Sequence, residues 1–148
     1  MALPRGYAAI GLYHPKNHYN TGAVLRAAHC YDAAMVVATG RRYQRASTDT
    51  TAAERHLPLL HADDLHTVIP YGCVPVAVEL HANAQSLCDY THPHSAFYIF
   101  GPEDSSLGDT VISWCRDIVQ VPTRHCMNLA ATVNVVLYDR LLKQQCRL

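Results

Sequence analysis

Several polar side chains in this 148-residue chain stand where an apolar run stops. The stretch FYIFGPEDSSLGD, residues 97–109, passes from FYIF into Gly101 and Pro102, then directly into Glu103 and Asp104. A carboxylate at the tip of a buried strand is either part of a plain turn or the wall of a pocket. Two other runs end in the same manner. CVPVAVEL closes on Glu79, Leu80 and His81, and DIVQVP closes on Val121, Pro122 and Thr123 before running through RHCMN into a helix. In open parallel sheets, ligands sit beyond the carboxyl ends of the strands. These three ends are therefore candidates for one binding site. Gly101 lets a ligand approach the backbone closely. Asn128 stands where a helix begins, as an N-cap or as a contact to a ligand.

A different chemistry is suggested by TGRRYQR, residues 39–45. Arg41, Arg42 and Arg45 surround Tyr43, and no acid follows until Asp49. The strip reads as a solvated loop or as an RNA contact, since arginines bind phosphates and a tyrosine can stack on an unpaired base. Formal net charge is zero, so bulk charge does not point to nucleic acid.

The elements that must position these residues alternate. Residues 7–13 read as a strand, and Asn20 or Thr21 caps a helix of about a dozen residues. Residues 34–39 are a short β-branched strand. Strand, helix and strand in about thirty residues form a βαβ unit. Residues 41–60 read as polar and irregular. ADDLHTVIPY is a short helix candidate, CVPVAVEL a strand, NAQSLCDY helical, SAFYIFG a strand, SLGDTVISWC helical and DIVQVP the last strand. The final segment, MNLAATVNVVLYDRLLKQQ, is a long helix. Leu129, Val133, Val136, Leu137 and Leu141 fall on one face at the 3.6-residue period. Val135, Tyr138 and Leu142 form a second apolar stripe that needs another cover, for which a partner subunit is a candidate. The expected fold is a single α/β domain with a mostly parallel sheet flanked by helices.

Composition narrows the function. Apolar residues make up 49% and charged residues 16%, which fills a core and excludes disorder. No run approaches the roughly 20 apolar residues of a membrane span, and the N-terminus lacks the pattern of a signal peptide. A soluble, cytoplasmic protein without membrane contact is expected. The six cysteines, Cys30, Cys73, Cys88, Cys115, Cys126 and Cys146, contain no C-x-x-C pair and fit no zinc framework. They read as free structural thiols. His92 and His94 flank Pro93 without a neighbouring ligand pattern, and no metal is expected. Neither G-x-G-x-x-G nor G-x-x-x-x-G-K-[ST] occurs, which disfavours a Rossmann dinucleotide site and a P-loop.

NTGAVLRAA, FGPEDSSL and VPTRHCMNLAATVNVVLYD occur in this order and at this spacing. Together they resemble the three motifs of the SPOUT superfamily of RNA methyltransferases in its TrmH (SpoU) branch. The resemblance spans nearly the whole chain and is to the minimal single-domain members. It implies a deep trefoil knot within residues 75–148, an exception to the rule that chains do not thread loops. It also implies a homodimer, S-adenosylmethionine as cofactor with S-adenosylhomocysteine as product, and methylation of ribose 2′-hydroxyls. RNA is the implied substrate, tRNA before rRNA, with the anticodon wobble nucleotide as one target. Carried over position by position, Asn20 and Arg26 match the first motif, Glu103 the acid of the second and Asn128 the asparagine of the third. Leu80, Gly101, Val121, Cys126, Met127 and Leu129 match the cofactor loops, and Arg124 joins the arginine strip as an RNA contact. Family members commonly carry a longer third loop with a serine before the Asn; this chain has TRHC, with Cys126 in that place. Arg26 is the residue expected to serve the chemical step. A general base is one proposed role for it. Positioning and oxyanion stabilisation suit a guanidinium better, because it resists deprotonation. Two other readings are weighed: an RNA-binding module of the same fold without catalysis, and a flavodoxin-like protein binding a small ligand.

Overall fold

The computed structural model describes residues 6–145. Seven strands form one fully parallel sheet: β1 (Ala8–Leu12), β2 (Met35–Ala38), β3 (Leu59–His61), β4 (Val74–Val78), β5 (Gln85–Ser86), β6 (Ala96–Phe100) and β7 (Asp117–Gln120). Their order across the sheet is β3-β2-β1-β6-β4-β7-β5. The central strands β1 and β6 are buried at every position. That explains why they read as unbroken apolar runs rather than alternating ones, since a parallel sheet covered on both faces has no wet side. Among the described residues there are three α-helices, α1 (His18–Cys30), α2 (Asp109–Ile112) and α3 (Leu129–Gln145), besides short 3-10 turns. One core layer packs α1 and α3 against the sheet around Ile10, Leu25, Tyr98 and Val133. The opposite layer gathers Phe97, Ile99, Leu65, Leu107 and Val111.

The structure moves several expected boundaries. The cap of α1 is Asn17, whose side chain accepts hydrogen bonds from the amides of Tyr19 at 2.8 Å and Asn20 at 3.4 Å. Asn20 thus lies inside the first turn with its side chain free for other work. The polar stretch before residue 60 hides β3, which pairs with β2 from Val36↔Leu59 to Ala38↔His61. Three residues at a sheet edge give too short a pattern to read. NAQSLCDY is not a regular helix. Gln85 and Ser86 pair with the outer edge of β7, and Ser86 then caps a 3-10 turn at Leu87–Asp89. α2 keeps four residues of the helix expected over SLGDTVISWC, and ADDLHTVIPY is a 3-10 turn at Leu65–Val68.

On α3, Leu129, Ala130, Val133, Val136 and Leu137 are buried as the period requires. Leu141 is not; it is 41% exposed and joins Val135, Tyr138 and Leu142 on the outer stripe. The next position on the inner face is taken by Arg140, which is 5% exposed. Its guanidinium donates to the carbonyls of Pro93 (2.7 Å) and His94 (2.6 Å) and to the Tyr98 hydroxyl (3.2 Å). Beside it, His92 lies between Tyr98 Oη at 2.6 Å and Asp139 Oδ2 at 2.7 Å. Asp139 also pairs with Lys143, which donates to the carbonyls of Leu87 and Tyr90. Burial holds His92 below the ordinary imidazole value, against the opposing pull of Asp139. It is therefore a neutral ring with both nitrogens bonded, and the polar cluster fixes α3 to the segment that enters β6.

Candidate functional site

Because β6, β4 and β7 are neighbours, their carboxyl ends open side by side. Between them lies a cleft of about 410 Å³. Val78, Glu79 and Leu80 form one wall, Phe100 to Glu103 the second, and Gln120, Val121 and Thr123 the third. Cys126, Met127, Asn128 and Leu129, at the start of α3, also line it. All six residues expected to face a cofactor line this space: Leu80, Gly101, Val121, Cys126, Met127 and Leu129. Its volume is in the range of small-molecule sites, and it mixes apolar side chains with a few converging polar groups.

The polar groups form a continuous chain. Glu103 accepts hydrogen bonds from the backbone amides of Lys16 (2.9 Å) and Asn17 (3.2 Å) and from Asn20 Nδ2 (3.3 Å). Asn20 Oδ1 accepts from Asn128 Nδ2 at 3.0 Å, and Asn128 Oδ1 accepts from the Ala131 amide at 3.2 Å. The donors fix both amide orientations. Asn128 is thus both the cap of α3 and a bridge to α1. Glu103 sits against the N-terminal end of α1, where orphan amides and the helix dipole favour negative charge. One asparagine, one glutamate and one asparagine from three distant motifs meet at the cleft.

One residue outside the expected cofactor set also shapes it. Glu79 lines the cleft and accepts from the Leu107 amide at 2.7 Å, tying the end of β4 to the loop after β6. Only its place at a strand end, just before Leu80, marks it in the sequence. Gly101 lines the cleft through its backbone, but its missing side chain faces elsewhere. A Cβ there would lie 3.2 Å from the Leu107 amide nitrogen and 3.4 Å from Leu107 Cγ. A side chain there would crowd the point where the loop folds back on itself, and Glu79 holds that loop in place.

Arg26 is not brought into this cluster. It lies on α1 six residues after Asn20, with Thr21, Val24, Leu25 and Ala28 buried on the inner face, and its own side chain is exposed. Six residues turn the helix by well over one and a half turns, so the two side chains leave in different directions. Arg41, Arg42, Arg45 and Arg124 are likewise exposed. Tyr43, however, is half-buried against the core, and its hydroxyl accepts from the Ala46 amide at 3.1 Å. It anchors the arginine loop and is not free to stack on a base. His18 Nδ1 accepts from the Gln44 amide at 3.2 Å and pins the same loop to α1. Among the described residues, no three potential ligands gather as a metal site, and no helix is long and apolar enough to cross a membrane.

With this geometry in place, known proteins supply the comparison. No curated protein sequence matches the chain. Solved structures do. The methyltransferase AviRb from Streptomyces viridochromogenes, in complex with the cofactor AdoMet, superposes with a TM-score of 0.80 at 18% identity over 97% of this chain. The chain spans 63% of that protein's length. The A. aeolicus TrmH/SpoU tRNA modifying enzyme gives a TM-score of 0.82 at 15% identity, covering 97% of this chain and 79% of its own. A structure described by the 2-OH methylation of C/U34 on tRNA gives 0.78 at 20% identity, covering 99% of this chain and all of its own. These likenesses establish the fold. The model of the SpoU rRNA Methylase family matches residues 7–138, nearly the entire described chain, and the protein belongs to that family.

Proposed function

We propose that the protein is an S-adenosylmethionine-dependent RNA methyltransferase acting on a ribose 2′-hydroxyl, with tRNA, at the anticodon wobble position, as the first candidate substrate. The observation that carries the reading is the convergence of Asn20, Glu103 and Asn128 in one hydrogen-bonded chain on the rim of a cleft at three adjacent strand ends. The family match and the relative whose full length is matched support the choice of RNA and of tRNA. The knotted cofactor region is assigned to about residues 75–148, of which 146–148 lie outside the described residues, and part of a homodimer interface to the exposed stripe Val135, Tyr138, Leu141 and Leu142.

S-adenosylmethionine, when bound, supplies the methyl group. The cleft suits it: Leu80, Val121, Met127 and Leu129 offer apolar walls, while backbone at Gly101 and Val121 offers hydrogen-bonding edges. Glu103 already accepts three N–H donors, so its work is to hold the first turn of α1 against the cleft rather than to take a proton. Asn20 and Asn128 lock the two helix starts together and fix the rim over which the ribose enters. Arg26 lies outside this rim, on the exposed side of α1, so the role assigned to it requires the substrate to extend from the cleft along that side. There a cation would position the hydroxyl and stabilise the alkoxide as its proton leaves. Incubating the protein with methyl-labelled cofactor and total RNA, followed by nucleoside mapping, tests the reading. Label in a 2′-O-methyl nucleoside of tRNA supports it; label on a base, or none with cofactor bound, overturns it.

A further inference from the structure

A second hollow, of about 460 Å³, opens beside the cleft between the loop after β1 and the loop after β2. His14, Pro15, Lys16 and Arg41 line it. Three of the four carry nitrogen donors and none is an acid. Hollow and cleft share a wall: the Lys16 amide donates to Glu103, and the same segment reaches Asn20 four residues later.

The hollow is built, not incidental. His14 is a non-glycine residue at φ 48°, a conformation that most side chains avoid and that tends to persist where function requires it. Its amide donates to the buried Thr39 hydroxyl at 3.1 Å, and the Tyr13 ring meets its imidazole edge-on at 4.4 Å. Gly40 faces it at φ 78°, and a Cβ there would press on His14 Nδ1 at 2.6 Å. His61 bonds the Gly40 carbonyl and steadies the second loop from behind. Two loops in left-handed turns are thus braced to present an imidazole, an ammonium and a guanidinium to one space. Lys16 rests meanwhile on Asp104 at 2.8 Å, a surface pair with both partners more than half exposed, which exchanges readily for a stronger anion. Arg41 has no salt bridge among the described residues.

We propose that this hollow is a subsite for a single phosphate of the RNA strand, the one adjoining the nucleotide whose ribose enters the cleft. Phosphate is the anion that such a mixed set of donors fits. A guanidinium fork grips two of its oxygens, and an ammonium and an imidazole meet the others. The proposal rests on the RNA methyltransferase reading, and it gives His14 and Lys16 a role that the arginine strip alone does not.

The test compares wild type, His14→Gly, Lys16→Ala, Arg41→Ala and the Lys16→Ala/Arg41→Ala double variant. All three positions are exposed, and glycine accepts the turn at 14. Affinity for bulk tRNA is measured without cofactor over a range of salt. Neutralising one phosphate contributes about 0.7 to 0.9 to the slope of log affinity against log salt. The double variant is expected to lose about that much slope. Two cations on separate phosphates would lose about twice as much, 1.4 to 1.8, which overturns a shared subsite; so does an unchanged slope. His14→Gly is expected to weaken binding further than a surface histidine change. Adenosylhomocysteine affinity, read by calorimetry on the same proteins, is expected to stay at the wild-type value. Wild-type cofactor binding with an unchanged tRNA slope in the variants sinks the subsite alone, whereas a wild-type protein that binds neither adenosylhomocysteine nor tRNA sinks the methyltransferase reading with it. Inorganic phosphate is titrated separately against the His14 imidazole by NMR. A response there without any effect on tRNA binding reassigns the hollow to free phosphate and overturns the RNA assignment.

Discussion

Asn128 donates to Asn20 at 3.0 Å across 108 positions of sequence, and this one bond joins the starts of the two longest helices. Removing it has two separable effects. Asn128→Ala also deletes the cap on Ala131, which costs about 1 kcal/mol and lowers Tm by about 3 °C. Asn128→Ser keeps a capping oxygen but not the amide bridge. It is expected to recover most of the melting temperature by calorimetry while methyl transfer stays low. Recovery of both would reduce Asn128 to a helix cap.

Arg26→Ala is expected to slow single-turnover methyl transfer by about a hundredfold or more, the scale of a lost oxyanion donor. Adenosylhomocysteine binding is expected to change little, because Arg26 does not line the cleft. Restoration of full rate by saturating RNA would demote Arg26 to one more phosphate contact.

Gly101 and Glu79 act on the same loop from two sides. Gly101→Val forces a branched carbon against the Leu107 backbone, and Glu79→Ala leaves the Leu107 amide without its partner. An unpaired amide at this buried residue costs about 1 to 3 kcal/mol. Both variants are expected to weaken adenosylhomocysteine affinity at least tenfold by calorimetry, by moving the loop. Unchanged affinity in both would place the cofactor elsewhere.

The buried cluster under α3 sets a pH dependence. His92 is held below 6.5 in the fold, chiefly by burial, facing Tyr98, Asp139, Arg140, Lys143 and the edge of Tyr90. The unfolded chain therefore binds a proton more readily than the fold does. Its contribution is fully present above about 6.5 and fades as pH falls toward the lower folded value. Melting temperature is expected to decline between pH 7 and pH 5. His92→Gln is expected to be less stable at pH 7 but to show a flatter decline. An equal slope in both proteins would locate the effect in other groups.

Tyr138 and Leu142 lie on the exposed stripe of α3, at 53% and 44% exposure. Tyr138→Glu with Leu142→Glu is expected to convert a dimer to a monomer in light scattering at micromolar concentration while far-ultraviolet circular dichroism is retained. A wild-type monomer at that concentration removes the interface.

Much of this was legible because its signals are local. Buried parallel strands announce themselves as apolar runs, and three of the runs ended in the residues that wall the cleft, from Leu80 to Gly101 to Val121. Other features depend on distant partners and leave no local trace. β3 exists because β2 offers it an edge, Arg140 is buried because Pro93, His94 and Tyr98 satisfy its guanidinium, and Tyr43 is an anchor because α1 covers it. Asn20 reads as a helix cap because the true cap, Asn17, stands only three residues earlier and has the same chemistry.

The strand order also has a consequence for how the chain is made. β1 pairs with β6 along its full length, from Ala8↔Ala96 to Leu12↔Phe100, so its neighbour leaves the ribosome roughly ninety residues after it does. Until then β1 carries an open, wholly apolar edge, the kind of surface that recruits strands from other molecules. Synthesis of β6 closes that edge, then supplies one side of the cleft through Phe100 and Gly101 and one anchor for α3 through Tyr98. A nascent chain stalled before residue 96 therefore has neither a protected sheet nor a site, and its exposure to chaperones is set by the speed at which β6 arrives.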